Sequence, residues 1–181
     1  MSVYVHLAEG FEEIEALTVV DVLRRASVDV KMVSIGTNKM VTGAHGICVK
    51  ADLLFEEANY KSCEMLVFPG GMPGTLNLKE HEGLKKELVA FNEEEKWIAA
   101  ICAAPMILGE LNMLKDKAAT IYPGMEQHLV GARISDQRIV QDKHIITSKG
   151  PGTAMEFTLK LVEVLTDSKS KQRLENDMVI K

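Results

Sequence analysis

Short, unbroken apolar runs alternate along this chain with segments whose apolar residues recur at helical spacing. The runs at residues 3–7, 28–35, 65–68, 97–101 and 144–148 are rich in apolar and β-branched residues, so each reads as a strand of a sheet covered on both faces. Between the first two, residues 12–26 set Ile14, Leu17, Val20 and Leu23 on one helical stripe, with acids first and Arg24 and Arg25 last, an order that complements the helix dipole. Residues 84–93 and 154–165 also read as helices. Strands alternating with helices build βαβ units, and right-handed crossovers restrict these to a doubly wound, mostly parallel sheet with helices on both faces. Weaker strand signals lie at 47–49, 118–122 and 138–140. The tail from Ser168 is charged, yet Leu174, Met178, Val179 and Ile180 predict a docked helix or strand. With 181 residues, no linker and no internal repeat, residues 1–181 are expected to form a single domain with a substantial core.

In such sheets ligands sit outside the carboxyl ends of the strands. The features that end strands here are the acidic turn from Glu9 to Glu15, the loop Pro69-Gly70-Gly71, Cys102, Tyr122 and the loop Gly150-Pro151-Gly152. Cys102 stands where an apolar run stops and a helix-like run begins, with the small residues Ala100 and Ala104 two places to either side. A sharp strand-to-helix turn needs that smallness, and it pushes the central side chain out of the sheet top. A sulfur at a helix N-terminus is favoured as the thiolate, the reactive form. The alternative is a cysteine packed as a small hydrophobe. Gly70 and Gly71 permit close backbone approach, and a glycine N–H with that of Ala103 behind the cysteine would form an oxyanion hole; alone, a Gly-Gly pair is a plain turn. The acids Glu9, Glu12, Glu13 and Glu15 read mostly as helix-start residues facing water. If one of them met Cys102, carboxylate and thiolate could not both ionise comfortably in a shielded site, and one proton would be shared.

Several classes are excluded. A net charge of −5 gives no electrostatic footprint for nucleic acid. The N-terminus lacks the basic and apolar regions of a signal peptide, and no apolar run approaches a membrane span. Three cysteines without paired spacing argue against disulfides and zinc, so a reducing cytoplasm fits. The histidines His6, His45, His81, His128 and His144 show no metal spacing, so no metal or other cofactor is expected. No phosphate-binding fingerprint is present.

Four ordered blocks resemble the ThiJ/PfpI superfamily, and within it the clade of the Parkinson-associated protein deglycase: residues 8–15 (AEGFEEIE), 68–71 (FPGG), 99–105 (AAICAAP) and 147–154 (TSKGPGTA). The resemblance implies a flavodoxin-like sandwich of the class I glutamine amidotransferase-like type, a homodimer and a cytoplasmic stress-response role. It implies Cys102 as an oxidation-sensitive nucleophile, Glu15 as the protonated acid touching its sulfur, and the N–H groups of Gly71 and Ala103 as oxyanion donors. Gly70, Tyr122, Arg25, Gly150 and Pro151 would line the substrate pocket. Glyoxalase-active relatives often carry a histidine before the proline read as Pro123, where this chain has Tyr122, a poor base near neutral pH; His128 is a distant substitute. The family's anion-pocket arginine after the second strand is replaced by His45, while Arg25 is retained. The expected activity is therefore weak, cofactor-independent, glyoxalase or deglycase chemistry on methylglyoxal, glyoxal or their protein adducts. The competing expectation is an oxidative-stress sensor or redox chaperone that works through oxidation of Cys102.

Overall fold

The computed structural model describes residues 2–180. The chain runs β1 (Ser2–Leu7), α1 (Glu13–Arg25), β2 (Asp29–Ser34), β3 (Met40–Thr42), β4 (Cys48–Lys50), β5 (Leu53–Leu54), β6 (Cys63–Phe68), α2 (Gly74–Glu80), α3 (Glu82–Glu93), β7 (Trp97–Ile101), α4 (Pro105–Glu110), β8 (Ala118–Ala119), β9 (Arg133–Ile134), β10 (Ile139–Asp142), β11 (Ile145–Ser148), α5 (Ala154–Leu165) and α6 (Ser168–Asp177), with short 3₁₀ turns between. Seven strands form one sheet in the order β10-β11-β7-β6-β1-β2-β5. All its pairs are parallel except the β10–β11 hairpin.

Side-chain alternation divides the core in two. Val3, Val5 and Leu7 of β1 face α1 and α5 with Met65, Val67, Ala99 and Ile101. Tyr4, Leu66, Phe68, Ile98 and Ala100 face the opposite layer, where α2, α3 and α4 contribute Leu78, Leu84, Leu88, Phe91 and Ile107. Both faces are covered, which is why the strands are apolar at successive positions rather than alternate ones. The tail docks through Leu174 and Met178, on the α1/α5 side.

Some expectations need correction. The strand at 47–49 exists as β4, but it pairs antiparallel with β3 in a separate two-stranded ribbon. The strand at 118–122 shrinks to Ala118–Ala119, paired with β9 away from the main sheet. The strand at 138–140 runs antiparallel at the sheet edge. Sequence β1, α1 and β2 grow the sheet one way, whereas β6 and β7 grow it the other way. The direction of sheet growth therefore reverses between β1 and β6, which run parallel, and the carboxyl ends at that point form the crevice where ligands of such sheets sit.

Candidate active site

Cys102 follows the last residue of β7 at φ +62°, a left-handed conformation uncommon for a residue with a Cβ. Its N–H donates to the Ser148 carbonyl of β11 at 3.0 Å, and its own carbonyl accepts from the Tyr122 N–H at 2.9 Å. These bonds pin the elbow from both sides. Ala103 and Ala104 behind it are buried, and Pro105 opens α4. Cys102 itself is half-buried, whereas Cys63 is buried and Cys48 exposed.

Glu15, on the first turn of α1, is fully buried (0% exposed). Its Oε2 accepts the Gly70 N–H at 2.7 Å, and its Oε1 is buried without a nitrogen or oxygen partner. The carboxyl faces the Cys102 thiol. Burial pushes Glu15 up to about 7, against the opposing pull of the Gly70 N–H and the thiol. Burial also raises Cys102, and the Glu15 charge and hydrogen bond add to it, so the thiol is pushed up to about 12. The N–H groups of Ala103 and Gly71 act on the sulfur in the other direction. The elbow thus supplies the backbone donors that the sequence suggests, but they do not dominate: with Glu15 ionised, the isolated thiol is not a low-pKa thiol. Two groups that each resist ionisation beside the other are one titrating unit.

The glycine loop is shaped by this pair. A Cβ on Gly70 would lie 2.6 Å from the Cys102 Cβ, 3.0 Å from Sγ and 2.9 Å from Glu15 Oε2. Gly71 has φ +89°, and a Cβ there would strike the backbone of Gly10 and Phe11. The Gly70 carbonyl accepts the Glu12 N–H at 2.9 Å, which fixes the loop against the start of α1.

A cavity of about 310 Å³ opens over the sulfur, lined by Glu12, Gly71, Met72, Cys102, Ala103, Tyr122, Met125 and Pro151. Gly150 lies beneath the Tyr122 ring, where a Cβ would stand 3.2 Å from Cδ2. The structure therefore brings together Cys102, Glu15, Gly70, Gly71, Ala103, Tyr122, Gly150 and Pro151. Arg25 does not join them. It sits on the last turn of α1, paired with Asp21 at 2.9 Å, and about 15 Å of helix rise separates it from Glu15. His128 lines a different depression with Lys79, Met106 and Glu110.

His45 makes a contact that sequence reasoning missed. Its ring Nδ1 lies 2.8 Å from Glu13 Oε2 and 3.6 Å from Glu12 Oε2. Glu13 Oε1 accepts the backbone N–H groups of His45 at 2.7 Å and Ile47 at 3.3 Å. Burial pushes Glu13 up, but the His45 ring and these backbone donors hold it below the usual carboxylate range. The Glu13 hydrogen bond, followed by the Glu12 charge, raises His45. Glu12, Glu13 and His45 place potential metal-ligating atoms within 4.8 Å of one another; their mutual pairing and the backbone donors account for that convergence without an ion. Among the described residues, no helix is long and apolar enough to cross a membrane.

The sequence profile of the DJ-1/PfpI family matches residues 1–164. The Protein DJ-1 homolog B of Arabidopsis thaliana is 36% identical over 89% of this chain, which spans only 37% of that relative's length. A protein named as a deglycase from Pyrococcus abyssi is 31% identical, covering 91% of this chain and 99% of the relative. Among solved structures, oxidised DJ-1 of Toxoplasma gondii superposes with a TM-score of 0.94 at 33% identity, over 98% of this chain and 97% of that one.

Proposed function

The chain belongs to the DJ-1/PfpI family, and from that premise we propose that it is a cofactor-independent enzyme that converts reactive dicarbonyls, free or as early protein adducts, through Cys102. The observation that carries this reading is the burial of the Glu15 carboxyl against the Cys102 thiol at a strained elbow, with the N–H groups of Gly71 and Ala103 turned to the sulfur.

The shared proton moves from sulfur to Glu15, leaving a thiolate beside a neutral carboxylic acid. The thiolate attacks the aldehyde carbon of an α-oxoaldehyde. A C–S bond forms, the carbonyl π pair moves to oxygen, and the Gly71 and Ala103 N–H groups hold that oxyanion. Glu15 gives its proton to that oxyanion and, now a carboxylate, carries a proton from the former aldehyde carbon to the neighbouring ketone carbon by way of an enediol. The first carbon is thereby oxidised to a thioester and the second reduced to an alcohol. Water cleaves the thioester, releasing a 2-hydroxy acid and the thiol. No external oxidant is required. With Tyr122 in place of a histidine, the second acid–base group is missing, and such a group contributes roughly 10²–10⁴-fold, so turnover is slow. The name of the Pyrococcus relative supports the adduct form of the substrate. A cytoplasmic homodimer is the assembly this reading adopts.

The test is lactate formation from methylglyoxal by the pre-reduced wild type, Cys102→Ala and Glu15→Gln. Turnover lost in the first and lowered at least about 100-fold in the second supports the proposal; no lactate from wild type at high enzyme concentration sinks it. A second reading, oxidation sensing, draws on the half-exposed sulfur facing two N–H donors. Mild peroxide followed by intact mass would then add two oxygens at Cys102 alone, and equal oxidation of Cys48 would contradict it.

A further inference from the structure

The cavity over Cys102 is far larger than methylglyoxal requires, and its walls have a particular chemistry. Its 310 Å³ is about ten times a water molecule's share of the liquid (~30 Å³). Apart from Glu12, Cys102, the backbone of Gly71 and the Tyr122 hydroxyl, the wall is thioether, ring and methyl: Met72, Met125, Pro151, Ala103 and the Tyr122 ring. Met72 and Tyr122 remain 45% and 46% exposed, so their apolar surface has no cover within the chain. Among the described residues, no lysine, arginine or histidine lines the cavity, and its one acidic side chain is Glu12.

From these features we infer that the site selects neutral α-oxoaldehydes whose ketone carbon bears an aromatic or bulky apolar group, and that Met72 and Met125 are the residues that determine this specificity. The inference rests on the enzyme reading given above. The reacting dicarbonyl occupies the backbone end of the cavity, between Cys102 and the Gly71 and Ala103 N–H groups. Its substituent then points outward between the two methionines. Unbranched thioethers adapt to rings of different shape and make favourable sulfur–aromatic contacts. A methyl substituent leaves most of that wall wet. A carboxylate on that substituent would meet Glu12, whose nearest cation, the His45 ring at 3.6 Å, is shared with Glu13, so acidic oxoaldehydes are disfavoured. For an aryl substrate the reaction is the same internal redox: phenylglyoxal takes up one water and leaves as mandelate, its aldehyde carbon oxidised and its ketone carbon reduced.

The experiment compares methylglyoxal, phenylglyoxal and 4-carboxyphenylglyoxal with wild type and with the double variant Met72→Ser/Met125→Ser. Wild-type kcat/KM is expected to be at least about 10-fold higher for phenylglyoxal than for methylglyoxal, carried by KM, and lower for 4-carboxyphenylglyoxal than for phenylglyoxal. In the double variant the ratio collapses towards one. A parallel measurement needs no turnover: acetophenone, which offers the ring without the aldehyde, should slow alkylation of Cys102 by iodoacetamide in wild type and not in the double variant, whereas acetone does neither. Equal kcat/KM for the two oxoaldehydes, without protection by acetophenone, overturns this inference and leaves the enzyme reading standing. Protection by acetophenone without turnover of any oxoaldehyde upholds the apolar subsite and overturns the enzyme reading. Absence of both overturns both.

Discussion

Glu15 and Cys102 meet at the ends of α1 and β7 and hold a proton between them, the carboxyl pushed up to about 7 and the thiol to about 12. Such a pair loses its protons in two steps that belong to the unit. Alkylation of Cys102 is expected to show an inflection near pH 7, when the pair becomes a monoanion, and a second rise far above it. Glu15→Gln removes the negative charge that raises the thiol, and a single inflection between those values should replace the two; unchanged inflections would refute the coupling. The same carboxyl shapes stability. Its folded value lies above the ordinary carboxyl value of 4.5, so between about 4.5 and 7 the folded chain holds a proton that the unfolded chain has released. The contribution of Glu15 to stability should therefore fall as pH rises through that window, by on the order of 3 kcal/mol in all. Thermal melts of wild type and Glu15→Gln at matched pH should show the variant gaining on wild type between about pH 4.5 and 7; a pH-independent difference would refute the linkage. Gly70→Ala drives a methyl into both members of the pair and should abolish alkylation at neutral pH in a chain that still melts cooperatively.

The ribbon of β3 and β4 is tied to α1 by one side chain, Glu13, whose two oxygens take the His45 ring and the N–H groups of His45 and Ile47. Gly43 is the turn residue that makes room, since a Cβ there would run into the Glu13 carboxyl. Glu13→Ala should release the loop at a cost of about 1–3 kcal/mol, read as lost hydrogen-exchange protection at residues 43–47 with the core amides unchanged. Because His45 is raised, its protonated contribution is present below its ordinary value of 6.5 and fades as pH climbs through the raised one. This latch was not legible in the sequence, where Glu12 and Glu13 look like solvated helix-start acids; both are buried. Their burial depends on a ribbon more than 25 residues downstream, and β3 and β5 are too short to announce themselves by pattern. Helix α2 was missed for the same reason, with Leu78 buried but Leu76 exposed on little more than two turns. The elbow was legible because its steric demands are local: small neighbours, an apolar run before it and a proline after it. Glu15 could not be told from its acidic neighbours by pattern and came only through the family resemblance. Arg25 was misplaced because a sequence motif does not say which end of a helix reaches the site.

The main strands were readable because a sheet covered on both faces writes itself as continuous apolar runs, and the two clusters that cover it are continuous from β1 to α5 on one side and from β6 to α4 on the other. Phe157 of α5 is fully buried against that sheet (0% exposed). Phe157→Ala should cost about 3–5 kcal/mol and move the whole denaturation midpoint, not one segment; a loss under about 1 kcal/mol would mean that the α5 layer contributes little to the fold. The sheet itself ends in β5, two residues long, on one side and in β10, four residues turned antiparallel, on the other. An unpaired strand edge is a template on which a foreign strand can grow, and these edges offer very few free rungs. The apolar strands β1, β6, β7 and β11 lie inside, each hydrogen-bonded to a strand on both sides, whereas β2 meets β5 only at Val33 and Ser34. The folded molecule thus carries four apolar strands without presenting an edge of any of them, and the stretch of β2 left open by β5 holds the charged pair Asp29 and Lys31, which opposes the addition of a foreign strand.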